Sequence, residues 1–138
     1  LLKDINPGSA SGGPNGFYTF KEKVYFAASS NGMNRELWMT DGTSTGTEMF
    51  IDLDNSDLTE SAPQILGIMG DFMYFSAKGP TTGRELWKTD GTIQGTTMVK
   101  DVNPGADNGI FSTPNVSIPY YFKVINDKFI FGNYLGTP

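Results

Sequence analysis

The sequence predicts an all-β chain: a β-propeller-like array of four-stranded antiparallel blades, about 49 residues per repeat, incomplete and cut from a longer propeller. Three observations predict it. A long motif recurs in tandem, short β-rich windows are separated by turn signals, and those windows are apolar on both sides.

The repeat is direct. Arg35-Glu36-Leu37-Trp38-Met39-Thr40-Asp41-Gly42-Thr43 returns as Arg84-Glu85-Leu86-Trp87-Lys88-Thr89-Asp90-Gly91-Thr92, 49 positions later and with one difference. The same spacing links Tyr25-Phe26 to Tyr74-Phe75 and Gly46-Thr47 to Gly95-Thr96. A second landmark, Lys3-Asp4-Ile5-Asn6-Pro7-Gly8, recurs as Lys100-Asp101-Val102-Asn103-Pro104-Gly105 and, degraded, as Asp52-Leu53-Asp54-Asn55. These landmarks divide the chain into a single repeat array: 1–5 as the last strand of a preceding unit, 6–54 as repeat one, 55–103 as repeat two, 104–138 as a partial third.

Each full unit reads as four strands. The first covers 17–20 and 65–69, the second 24–28 and 73–77, the third 36–40 and 85–89, the fourth 48–53 and 97–102. Aromatic and β-branched residues fill these windows. Asn31-Gly32, Asp41-Gly42, Gly70-Asp71 and Asp90-Gly91 punctuate them, because Gly takes positive φ without a steric cost. Helix finds no support, since Gly or Pro interrupts every long window at the 3.6 spacing. In the second strand Val24, Phe26 and Ala28 point one way while Tyr25 and Ala27 point the other, and both sets are apolar. A sheet with one wet face would alternate. A sheet covered on both faces by like sheets would not, and units of 40 to 50 residues suit propeller blades. The partial third unit carries 129–131 as its second strand and an insertion around 110–121.

Composition narrows the chemistry. The chain of 138 residues has no Cys and no His. Thiolate catalysis, disulfides, Ser-His-Asp triads and sites built on Cys or His ligands are therefore excluded. A net charge of −5 repels phosphate backbones, so nucleic acid is not an expected partner. No apolar run is long enough to span a membrane as a helix.

Glu36-Leu37-Trp38 with Asp41-Gly42-Thr43, and Glu85-Leu86-Trp87 with Asp90-Gly91-Thr92, resemble the ELWxxDGT repeat, and the flanking Gly-Thr and Lys-Asp-Ile-Asn-Pro-Gly pieces are similar to its usual continuation. The resemblance covers nearly the whole chain. It implies large bacterial proteins, secreted or exposed at the cell surface, with a β-propeller-like organisation. It implies no catalytic residues. The third unit departs from the pattern by its insertion and by lacking the motif.

The motif residues read first as structure. Asp41 and Asp90 can cap their own turns, which competes with a role as metal ligand or acid. Trp38 and Trp87 can fill an interface or form sugar-stacking platforms. Asp52-Leu53-Asp54-Asn55-Ser56-Asp57 spaces oxygen ligands as a Ca²⁺ loop does but lacks the Gly and distal Glu of an EF-hand, so no cofactor is expected and Ca²⁺ is the alternative. Tyr120, Tyr121 and Phe122, in the insertion, are the binding candidates, and the same triplet reads equally as a first strand that packs. Three function classes stay open. The first is a non-catalytic surface module, structural or adhesive, that binds glycans or proteins. The second is a polysaccharide-acting enzyme on a propeller scaffold, using carboxylates such as Glu22, Glu60 or Asp71. The third is a subunit of an extracellular assembly. The expected partners are additional repeats or partner proteins that cover the exposed faces of the array.

Overall fold

A computed structural model describes residues 1–55, 60–110, 122–126 and 128–131. Among them there is no helix. The strands are β1 (Asn15–Phe20), β2 (Lys23–Ser29), β3 (Arg35–Thr40), β4 (Glu48–Ile51), β5 (Gln64–Met69), β6 (Phe72–Lys78), β7 (Arg84–Thr89), β8 (Thr97–Lys100), β9 (Phe122–Ile125) and β10 (Lys128–Phe131). They form two four-stranded meanders, β1-β2-β3-β4 and β5-β6-β7-β8, and a hairpin of β9 and β10. All pairings are antiparallel.

The two sheets share one register. Phe26 faces Trp38 and Trp38 faces Met49; 49 residues on, Phe75 faces Trp87 and Trp87 faces Met98. Both sheets carry a bulge in the first strand and another between Leu37 and Trp38 or between Leu86 and Trp87. The bulges add local twist at matching places. The fourth strands stop earlier than the sequence predicts. Asp52-Leu53 and Asp101-Val102 have left the ladder, because Leu53 N–H and Val102 N–H donate to the side chains of Glu36 and Glu85 instead. Residues 1–5 form no strand.

The main core lies between the sheets, and it joins unlike sides. The first sheet contributes Tyr25, Leu37 and Phe50; the second contributes Met73, Phe75 and Ala77, with half-buried Trp87 beside them. Tyr25 is the counterpart of Tyr74, whereas Phe75 is the counterpart of Phe26. The packing is therefore front to back. Phe26, Ala28 and Trp38 form a separate cluster on the outer side of the first sheet, with Ile5 against them. Tyr74 and Leu86 form another on the far side of the second sheet, with Ile110. So all of Tyr25, Phe26, Ala27 and Ala28 are buried, as the unalternating pattern of β2 requires.

On the first sheet's side of this core the Tyr25 and Phe50 rings meet edge to face, at 5.2 Å and 88°. Lys21 Nζ donates to the carbonyl of Asp90 at 2.8 Å and lies 5.3 Å from the Phe20 ring centroid. The tip of one sheet is thus tied to the Asp-Gly-Thr turn of the next.

Candidate functional site

The residues singled out by the repeat converge on three places, each occurring twice.

The first is the Asp-Gly-Thr turn. Asp41 Oδ1 accepts from Thr43 N–H at 2.9 Å and from the Thr43 hydroxyl at 2.7 Å. Gly46 N–H donates to Thr43 Oγ1, and the Thr47 hydroxyl donates to Thr43 O. Asp90, Thr92, Gly95 and Thr96 repeat every one of these bonds. Gly42 and Gly91 sit at φ 91° and 94°, where a side chain is strained. The Thr bonds hold both Asp carboxyls below the ordinary aspartate range. Each Asp is thus a turn cap, already saturated on one oxygen.

The second is the buried glutamate of Glu-Leu-Trp. Glu36 Oε1 accepts Ser61 N–H at 3.0 Å, and Oε2 accepts the Ser61 hydroxyl and Leu53 N–H. Glu85 accepts Val102 N–H at 2.9 Å and Gly109 N–H at 2.7 Å. Each glutamate fastens the segment that leaves its own sheet to the segment that enters the next. Beside it, the backbone carbonyl of Arg35 accepts Ala62 N–H, and that of Arg84 accepts Gly109 and Ile110 N–H. The Arg84 guanidinium donates to Ala62 O at 2.7 Å and to Ser76 O at 3.2 Å. Burial lowers its pKa.

At Glu36 the environment is acidic. Glu36, Asp52 and Asp54 each bring a carboxylate oxygen within 4.8 Å of the others. Burial raises the Glu36 pKa; the Ser61 bonds pull it down, and Asp52 and Asp54 push it up again. Burial also raises Asp52, with Asp54 adding to it against the Asn55 N–H bond. These are the residues that could hold a cation by their oxygen donors. Their other chemistry is to share a proton, and both Glu36 oxygens are engaged by Leu53 and Ser61. Asn55, at φ 52°, donates to Asp52 Oδ1 at 2.9 Å, so the stretch expected either as Ca²⁺ loop or as turn does close a turn here. Ser56 and Asp57 of that stretch lie outside the described residues. Sequence reading singled out Asp52 and Asp54 without Glu36. The copies at Asn6 and Asn103 carry an amide where this one carries Asp54, which marks position 54 as unlike its copies but does not point to Glu36.

The third place is the tryptophan pair. Trp87 Nε1 donates to Ala77 O at 3.1 Å. Trp38 is buried, yet its Nε1 has no hydrogen-bond partner among the described residues. Equal positions in the ladder therefore have unequal surroundings: a second sheet lies over Trp87, while Ile5 and its segment lie over Trp38.

Of the insertion candidates, Phe122 opens β9; Tyr120 and Tyr121 lie outside the described residues. Glu22 lies in the β1–β2 turn at φ 64°, Asp71 in the β5–β6 turn, and Glu60 precedes Ser61 in the link between sheets. No family model matches the chain, and neither the curated proteins nor the solved structures contain a match to it. No helix among the described residues is long and apolar enough to cross a membrane.

Proposed function

We propose that the chain is a non-catalytic repeat module of the ELWxxDGT type, part of a β-propeller-like array at a bacterial surface or in secreted form, structural or adhesive in role and binding glycans or proteins. One observation carries this reading. The polar motif residues make the same internal bonds in both units: Asp41 and Asp90 cap turns, and Glu36 and Glu85 fasten crossovers. A side chain that a fold uses twice for the same tie is a construction element, and repeated sheets leave their loops free for recognition. The repeat resemblance adds the surface location. The preferred binding residues remain Tyr120, Tyr121 and Phe122, next to one another on the individual segment of the third unit.

A glycan array and a pull-down from outer-surface extracts test the proposal. Retention of glycans or surface proteins, lost on Tyr120→Ala with Tyr121→Ala, is the expected outcome. Turnover of polysaccharide, abolished by changing Glu22, Glu60 or Asp71, would replace it with the enzyme reading.

A further inference from the structure

We propose that Arg35 binds the carboxylate of a short acidic oligosaccharide, at the end of the first sheet where residues 9–15 and 29–35 meet. The inference rests on the reading of the module as a glycan binder and adds to it a site and a ligand class.

Two copies of one arginine behave differently. Arg84 is 7% exposed. Its guanidinium donates to Ala62 O at 2.7 Å, to Ser76 O at 3.2 Å and to Ser76 Oγ at 3.3 Å. Burial acts against its charge and Glu60 acts for it. Arg35 holds the same place in the first sheet, facing Ser29 as Arg84 faces Lys78. It is half-buried, yet its guanidinium makes no hydrogen bond or ion pair among the described residues.

Every anchor of Arg84 is changed at Arg35. The 49-residue offset puts Ser11 for Glu60, Gly13 for Ala62 and Ala27 for Ser76. Ser11 carries no charge, and its hydroxyl oxygen accepts Gly13 N–H at 3.0 Å. Ala27 has no hydroxyl. Gly13 O accepts the Asn15 amide at 3.3 Å. A Cβ on Gly13 would lie 3.0 Å from Arg35 Nη2, so the guanidinium rests against this glycine without bonding its carbonyl. A half-buried guanidinium without internal acceptors keeps its planar fork for a carboxylate from outside, which it can hold by two parallel bonds.

The lining selects the class of ligand. Ser29 N–H donates to Gly12 O at 2.9 Å, and a Cβ on Gly32 would lie 3.8 Å from the Ala10 side chain, so the two segments touch. Ser9, Ser11, Asn15, Ser30 and Asn31 are exposed along them. Residues 5–15 and 29–35 hold a single charged side chain, that of Arg35, whereas the counterpart stretch 54–64 carries acids at 54, 57 and 60. Hydroxyls and amides around one cation suit the hydroxyls of a sugar around one carboxylate. The net charge of −5 repels a long polyanion, which restricts the ligand to a short oligosaccharide.

NMR titration of the full chain with a short oligogalacturonate, and with its methyl ester, tests the site. The acid should bind and the ester should bind more weakly. Arg35→Gln should weaken binding of the acid by about tenfold. It should melt at the wild-type temperature, because it removes no internal bond. Ser11→Glu sets an acid where the second unit has Glu60; it should weaken binding with Arg35 still in place. Equal binding of acid and ester, no binding of the acid, or binding unchanged in Arg35→Gln overturns the site. Hexaglutamate held more tightly than oligogalacturonate overturns the sugar as ligand. Other glycans retained on the array, unchanged in Arg35→Gln, would remove this site and leave the glycan-binding reading standing.

Discussion

One difference between repeats sets an extra carboxylate against a buried acid. The Asp-x-Asn of residues 4–6 and 101–103 becomes Asp-x-Asp at 52–54. Asp54 thereby adds a carboxylate beside buried Glu36, already neighboured by Asp52. Two unit charges 4 Å apart repel by roughly 4 kcal/mol at an effective dielectric of 20, and relaxation and proton uptake leave a fraction of that. Asp54→Asn should therefore stabilise the protein by about 1 kcal/mol at neutral pH. The gain should vanish below about pH 4, where Glu36 is protonated in both proteins. Urea unfolding in the presence of a chelator, so that no divalent cation contributes, measures it. A loss of stability in Asp54→Asn would mean that the third acid is an asset, as a cation ligand would be.

At the scale of the element, the Asp-Gly-Thr turn is closed by contacts that leave no spare volume. A Cβ on Gly46 would lie 2.1 Å from Asp41 Oδ1, which is held by two Thr43 bonds. Gly46→Ala should destabilise by about 1–3 kcal/mol, the range for overpacking. The same change in an Asp41→Ala background should cost much less, and that double-mutant cycle isolates the clash. The third strands allow a paired comparison. Trp87→Phe deletes a made hydrogen bond to Ala77 O, whereas Trp38→Phe deletes an N–H that has no partner among the described residues. Trp87→Phe should cost about 1 kcal/mol more in a side-by-side thermal melt. These elements also show what sequence can and cannot reveal. The strands and turns were legible because Tyr, Phe and Val cluster between Gly-bearing turns, and because a 49-residue copy fixes equivalence. Both-sided burial was legible from residues 24–28. The role of Glu36 was not, because its partners Leu53 and Ser61 lie 17 and 25 positions away and bond through backbone groups that carry no residue signature. Nor was the asymmetry of the two tryptophans, since that depends on which sheet lies above each one.

Across the whole molecule the shifted carboxyls act in opposite directions. Asp41 and Asp90 are held below their ordinary range by Thr43 and Thr92. A lowered folded pKa contributes stability that is present above the unfolded value, and it is lost as pH falls through the folded one. Glu36 and Asp52 are raised, chiefly by burial. A raised folded pKa contributes stability that is present below the unfolded value, and it is lost as pH rises through the folded one. The net charge of −5 adds repulsion on the same alkaline side. Stability should therefore peak in acidic solution, about pH 4, where the carboxyls titrate in the unfolded chain, and fall toward both neutral and strongly acid pH. Asp54→Asn should make the neutral limb shallower without removing it, because burial, the main cause of the Glu36 shift, remains and the turns are untouched. Asp41→Asn with Asp90→Asn should flatten the acid limb alone, because an amide caps the turn without titrating. Urea midpoints from pH 3 to pH 8 in constant ionic strength separate the two limbs; a wild-type profile rising steadily to neutral pH would show that the buried Glu36 cluster does not govern it.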